Sequence, residues 1–489
     1  MDPTKFQRIL PAVLIIVGLN LLAHFLPFER VSLAGDDIEY LTVPSQERWE
    51  YARSQMALSS RRPLEIFHIL LHWIAGDHKL LWVAAEFLAS SLLAGCVYLL
   101  MRQLIGDPVG GLACTVFYVL LPNKERLYHH LGYTHIHAVI ALTVVSLIFF
   151  LAYLRTSRTV HLWASVACYT ITVFWYELGF FLPLVLLIAA VPYGKKKMGA
   201  CLLFLLPVAL NTLWRSGVFG GGDFTLAPLF RATFWDNLLD ARKLYFGQPM
   251  LKWILYGLVR FPSIQRSWLL FLLAADGLVL WGSFRWLRKS SLAAIPLKLL
   301  PVALAMTLFF LIPAAMGYEV LGRHTPLSSI GFSILAIAAL RWLVGPRPLL
   351  PVLLTALLGV SLMICQGLAW SQVVSCRMNQ AILETLQQKK ASLATADRVV
   401  IDQDSFAQRI PSAFRMLDPE NHLDTYWGVD GLLGENFRGP VHWVTGRRIP
   451  VEIIRSERRL IPRKGTVLID YAAVYPEGFH DGRRGRLPR

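Results

Sequence analysis

Thr134-His135-Ile136-His137-Ala138-Val139-Ile140-Ala141-Leu142-Thr143-Val144-Val145-Ser146-Leu147-Ile148-Phe149-Phe150-Leu151-Ala152-Tyr153-Leu154 carries no acid, lysine or arginine, and Arg155 and Arg158 follow at once. A helix of that length covers about 30 Å, the hydrocarbon thickness of a bilayer. Comparable apolar windows lie at 8–27, 80–104, 109–122, 160–176, 178–193, 199–215, 267–286, 296–317, 326–344 and 349–371. Eleven spans are therefore expected, the third short and the fifth and sixth nearly joined at Glu177. A further apolar segment, Pro63 to Ala75, is too short to span and reads as interfacial or re-entrant.

Composition agrees. The 489 residues are 55% hydrophobic and 16% charged, against roughly 45–50% apolar and about 25% charged in ordinary soluble domains. The net charge of +16 would suggest nucleic acid in a soluble chain. Here the cations flank apolar spans, as in Lys195-Lys196-Lys197 and Arg285…Arg288-Lys289, where they orient helices and meet anionic headgroups of membrane lipids. Nucleic-acid binding is not expected. The six cysteines form no disulfide framework: five fall in or beside apolar spans and Cys376 has no evident partner. Lys5 and Arg8 before the first apolar stretch look like a signal peptide, but no small-residue cleavage site follows, so an uncleaved first helix is expected.

Loop charges give an orientation. With a cytoplasmic N-terminus, the cytoplasmic loops hold Arg102, Arg155 with Arg158, Lys195 to Lys197, Arg285 to Lys289, and Arg341 with Arg347. All are short and basic, as the positive-inside rule asks. The loops 28–79, 123–133, 216–266 and 318–325, the turn at Glu177 and the C-terminus then face outward and hold most of the extramembrane acids. The expected placement is multi-pass, in a bacterial inner membrane, with an extracytoplasmic C-terminus. The fold class is an all-α polytopic membrane protein, a transmembrane domain over 1–371, and a small α/β extramembrane domain over 372–489. In the latter, 372–392 reads as an amphipathic helix, 399–401 and 467–469 as short strands, and Arg483 to Arg486 as part of a basic tail.

The outer loops carry the polar chemistry. The first contains Gly35-Asp36-Asp37-Ile38-Glu39-Tyr40-Leu41, and then Arg61-Arg62-Pro63-Leu64. Adjacent aspartates are often solvated loop charges or helix caps. Sharing a membrane-surface loop with guanidiniums, a carboxylate there suits a general base or a metal ligand, and Arg62 suits a bidentate phosphate contact. The second outer loop, Pro122-Asn123-Lys124-Glu125-Arg126-Leu127-Tyr128-His129-His130, offers the acid Glu125. With His135 and His137 it also invites a zinc reading, although the four histidines lack a ligand spacing. No cofactor is demanded; a divalent metal stays open. The loop 215–266 mixes aromatics and cations, among them Trp235, Tyr245, Trp253 and Arg260, and suits an amphipathic layer or a loop closing over substrates. Finally, Gly322-Arg323-His324-Thr325-Pro326 opens the tenth span. A cation at a helix N-terminus makes a phosphate site there reasonable, against the commoner snorkelling arginine.

A first outer loop with Asp-Asp, then Arg-Pro-Leu before an amphipathic segment, resembles the GT-C superfamily of membrane glycosyltransferases, which includes protein O-mannosyltransferases and lipid A aminoarabinose transferases. The resemblance implies a GT-C-like enzyme that takes a hexose or pentose from a polyprenyl-phosphate donor. The acceptor would be a hydroxyl on lipid, glycan or protein at the outer face. It points to Asp36 or Asp37 as base without choosing between them, and to Glu125 as the matching second acid. Arg323, with His324 where relatives carry an aromatic, and Arg62 would neutralise the departing phosphate. Tyr176 stands where relatives carry a lysine before Glu177, which puts a donor role for that turn in doubt. Two other readings remain: a polysaccharide or O-antigen ligase, centred on 216–266 and Arg323, and a flippase or transporter of a lipid-linked glycan. The last wants ionisable groups along a transmembrane path, and apart from Glu86, Glu177 and Asp276 the spans are nearly free of acids.

Overall fold

The computed structural model describes residues 3–26, 64, 74, 79–124, 134–215, 232–241, 245, 248–289, 295–315, 325–345, 349–402, 451–454 and 466–470. Among these the chain is mostly helical. Helix α1 (Pro3–Asn20) runs on into a π turn, Leu21–Phe25. Then come α2 (Lys79–Ile105), α3 (Pro108–Val119), α4 (Thr134–Thr156), α5 (Thr159–Trp175) and α6 (Leu182–Ala190). These are followed by α7 (Leu205–Arg215), α8 (Ala232–Ala241), α9 (Gln248–Arg260), α10 (Arg266–Lys289), α11 (Leu300–Phe309), α12 (Pro326–Val344) and α13 (Leu349–Gln388).

Six runs are long and apolar enough to cross a membrane: Leu80–Ile105, Thr134–Thr156, Lys195–Trp214, Arg266–Arg285, Pro326–Val344 and Leu349–Trp370. The other five expected spans meet shorter apolar helices, Leu10–Phe25, Pro108–Val119, Thr159–Trp175, Leu182–Tyr193 and Leu297–Phe309. Local chemistry sets their ends. Asp107 caps α3, its carboxylate accepting from the Val109 and Gly110 amides at 3.3 and 2.8 Å, with Pro108 in the first turn, where its missing N–H costs nothing. Tyr176 turns extended after α5. Pro192 and the positive φ of Gly194 end the helical run after α6. The helices are compatible with a chain that crosses a membrane several times.

The outside of the bundle supports that reading. Leu88, Leu92, Trp163, Leu270, Leu278 and Trp342 are all more than half exposed on helix flanks, a liability in water and no cost in lipid. Inside, α2, α3, α4, α5, α6, α11 and α12 share one core around Val97, Val139, Ile140, Phe150, Leu182 and Ala303. Helices without a hydrophobic drive to associate in lipid use small and hydroxyl residues instead. Ser146 and Ser165 do this between α4 and α5, each hydroxyl donating to the other's carbonyl at 2.9 and 2.6 Å. Gly257 on α9 and Gly367 on α13 do it by contact: a Cβ on Gly367 would fall on the Gly257 carbonyl.

At the far end, α13 crosses the expected boundary at 371/372 unbroken to Gln388. Three strands follow: β1 (Arg398–Asp402), β2 (Val451–Ile454) and β3 (Thr466–Asp470). They form a parallel sheet in the order β2-β1-β3, with Val399 opposite both Val451 and Val467. The two expected strands are β1 and β3; β2 joins on the other side of β1. The Pro63–Ala75 segment, apart from Leu64 and Ile74, and the Arg483–Arg486 tail lie outside the described residues.

Candidate functional site

The polar end of the bundle is organised around Tyr245. After α3 the chain makes a 3-10 turn, Pro122–Lys124, that buries Asn123 completely. Pro326 opens α12, leaving Thr325 as its cap residue and placing Ser328 and Ser329 in the first turn, all three fully buried. Tyr245, between α8 and α9 in the chain, inserts between them. Its hydroxyl lies 2.5 Å from the Ser328 hydroxyl and 3.1 Å from that of Ser329, and donates to the Thr325 carbonyl at 3.3 Å. The Thr325 hydroxyl donates to the Asn123 carbonyl at 3.1 Å, and the Asn123 amide donates to Ser329 at 3.4 Å. Ser333 closes the set by donating to the Ser329 carbonyl at 2.7 Å.

Burial pushes the Tyr245 phenol up to about 12, against hydrogen bonds from Ser328, Ser329 and Asn123 that pull it down. It is neutral at any physiological pH and holds its place as a hydrogen-bonding hub. Its ring lies 4.5 Å from that of Phe332, and Trp253, Tyr256, Ile364 and Leu368 pack around it. The Gly257–Gly367 contact lets α9 pack closely on α13. Arg260, at the end of α9, is buried with its guanidinium carbon 5.1 Å from the Tyr256 ring centre.

Of the residues expected from sequence, Asp36, Asp37, Arg62, Glu125, Arg323 and His324 lie outside the described residues, as do His129 and His130. What is described is the chain on either side of three of them. Asn123 stands two residues before Glu125, and Thr325 follows Arg323-His324 directly. The Thr325–Asn123 hydrogen bond therefore joins the two segments that carry these groups. His135 and His137 begin α4 and are buried, and the His135 ring sits 5.8 Å from Tyr176, the residue before the turn at Glu177. Among the described residues no three His, Cys, Asp or Glu side chains gather as metal ligands.

Sequence reading passed over two arrangements. Tyr245 stood as one of many aromatics in its loop, and its only distinguishing signal was the Ser328-Ser329 pair waiting in an apolar helix. Deeper in the bundle, Asp276 on α10 accepts from the Gln366 amide on α13 at 2.9 Å, both side chains buried. Asp276 was legible as an intramembrane acid; its partner, more than eighty residues away, was not. No protein-family model and no curated protein matches this chain.

Proposed function

We propose that the chain is an eleven-span, GT-C-like glycosyltransferase working on the extracytoplasmic face, its N-terminus in the cytoplasm. It moves a sugar from a polyprenyl-phosphate donor to an acceptor hydroxyl. The observation that supports this reading is the buried junction of Asn123, Tyr245 and Thr325, which ties together three segments far apart in sequence, two of them adjoining Glu125 and Arg323-His324 along the chain. A transferase of this kind needs an acid-bearing segment and a phosphate-binding segment held at fixed separation, since positioned groups lower the barrier only when their geometry is preset.

In the step proposed, Asp36 or Asp37 takes the proton of the acceptor hydroxyl as its oxygen bonds to the anomeric carbon. The bond from that carbon to the phosphate oxygen breaks, and polyprenyl phosphate leaves against Arg323, with Arg62 and His324 beside it. The test is Asp36→Asn, Asp37→Asn and the double variant, assayed for transfer from a polyprenyl-phosphate sugar. Loss of about 10²–10⁴-fold in one single variant is the expected result for a missing base. Full transfer by all three variants excludes a first-loop base.

The position of Tyr245 also favours a second reading, a polysaccharide or O-antigen ligase, because that enzyme would centre its chemistry on the 216–266 loop and Arg323. Under it, Arg323→Ala abolishes transfer while the Asp36 and Asp37 variants keep it.

A further inference from the structure

Helix α9 is inside out by the standards of water. Trp253, Tyr256, Gly257 and Arg260 recur at helical spacing on one face and are all buried, while Leu251 and Val259 stand exposed on its flanks. Lipid around those flanks accounts for the leucine and the valine. It does not account for the guanidinium. Among the described residues Arg260 is the only lysine or arginine that is buried, at 4% exposure.

Two ordinary reasons for an arginine here fall short. A cation in the last turn of a helix complements the macrodipole, but it does so equally well from the surface. The Tyr256 ring, 5.1 Å from the guanidinium carbon, adds a cation–π attraction. Removing the charge from water costs more than both return unless an anion meets it. A guanidinium resting on an aromatic face keeps its planar fork of N–H donors for such a partner.

The neighbours of α9 say which anion. Phe261, the next residue, shares a core cluster with Leu26, after which the first outer loop follows in sequence. The helix touches the turn Pro122–Lys124, which leads to Glu125. Tyr256 belongs to the cluster of Tyr245, against which Phe332 of α12 is packed. One helix thus adjoins segments that lead along the chain toward the proposed acids and the proposed phosphate-binding groups. A polyprenyl phosphate is an anion on a hydrocarbon tail, and α9 offers a match for each part: an apolar flank outside and a guanidinium inside, whose fork suits two phosphate oxygens.

We infer that Arg260 binds the phosphate of the polyprenyl-phosphate donor, which rests on the donor class proposed above and adds to it a guanidinium from α9. Its N–H groups donate to the non-bridging phosphate oxygens and hold the phosphate as the bond to the anomeric carbon breaks.

The test uses the full chain in detergent, with binding of polyprenyl phosphate and of the uncharged polyprenol measured beside donor KM, kcat and unfolding temperature. The wild type is expected to bind polyprenyl phosphate far more tightly than polyprenol. Arg260→Gln weakens that binding and raises donor KM by about thirtyfold or more, the effect of truncating one partner of a buried charge pair. Arg260→Lys, a charge without the fork, does so by about tenfold. A folded Arg260→Gln variant with lowered unfolding temperature but unchanged binding and donor KM overturns the inference. The guanidinium then serves a carboxylate of the chain, and the transferase reading stands wherever transfer persists. Arg260-dependent binding without transfer by the wild type keeps the inference and removes the transferase reading. Equal binding of polyprenyl phosphate and polyprenol by the wild type overturns the inference as well. Should Arg260→Gln fail to fold, Arg260→Lys, which keeps the buried charge, decides by the same readouts.

Discussion

The Thr325 hydroxyl donates to the Asn123 carbonyl at 3.1 Å, closing a loop of 202 residues inside a buried polar junction. Thr325→Val keeps the shape and removes the donor, leaving that carbonyl short of a partner in a dry site. The expected cost is about 1–3 kcal/mol, read as a lower unfolding temperature in detergent. Thr325→Ser restores most of it.

Tyr245→Phe removes one hydroxyl from three acceptors and donors at once. Destabilisation of about 1–3 kcal/mol is expected. If the junction also holds catalytic segments in register, transfer falls by more than the loss of folded protein explains. Measuring both on one preparation separates the effects.

The same residue sets a pH dependence. The unfolded phenol loses its proton near 10, whereas the folded one holds it to about 12. A raised folded value means that stability is whole below about 10 and declines as pH rises toward 12. Unfolding temperatures at pH 9 and 11 therefore differ more in the wild type than in Tyr245→Phe.

Gln366→Leu strips Asp276 of its partner inside the membrane, where a lone acid is costly, and lowers stability by about 1–3 kcal/mol. The double variant Asp276→Leu, Gln366→Leu replaces both groups with apolar ones and recovers most of the loss. A double-mutant cycle on unfolding temperature checks this; additive losses would refute coupling.

Gly367→Leu puts a side chain into the backbone of α9. Because α9 begins three residues after Tyr245, the variant is expected to lose stability and to disturb the junction, and to express poorly. Gly359→Ala, whose added Cβ meets only the tip of Leu280, serves as the tolerant comparison.

The helices were legible because burial in lipid demands long apolar runs, and 134–154 or 349–371 admit no other reading. Near Pro192, length alone overstated the helix: within the expected span 178–193, α6 covers only Leu182–Ala190. The strand at 451–454 escaped notice because Val451-Glu452-Ile453-Ile454 is too short to stand out without its partner β1. The same limit governs the junction: Asn123, Tyr245 and Thr325 are unremarkable residues singly, and their meaning comes from contacts between segments far apart in sequence. Charged outer-loop motifs announce themselves by composition; neutral hydroxyls that hold loops together do not.

The unbroken α13 has a mechanical consequence. Its 40 residues measure about 60 Å at 1.5 Å per residue, roughly twice a ~30 Å hydrocarbon core. It acts as a mast stepped in the bundle at Gly367 and Gln366, with the parallel sheet carried beyond its upper end. A mast has no joint, so a small tilt at its foot is magnified at its head: about 10° over a free length of roughly 25 Å sweeps the top by about 4 Å. A tilt of α13 around Asp276 and Gly257 would thus move the helix end that leads toward the sheet, and insertion of a proline near Val374 would break that link.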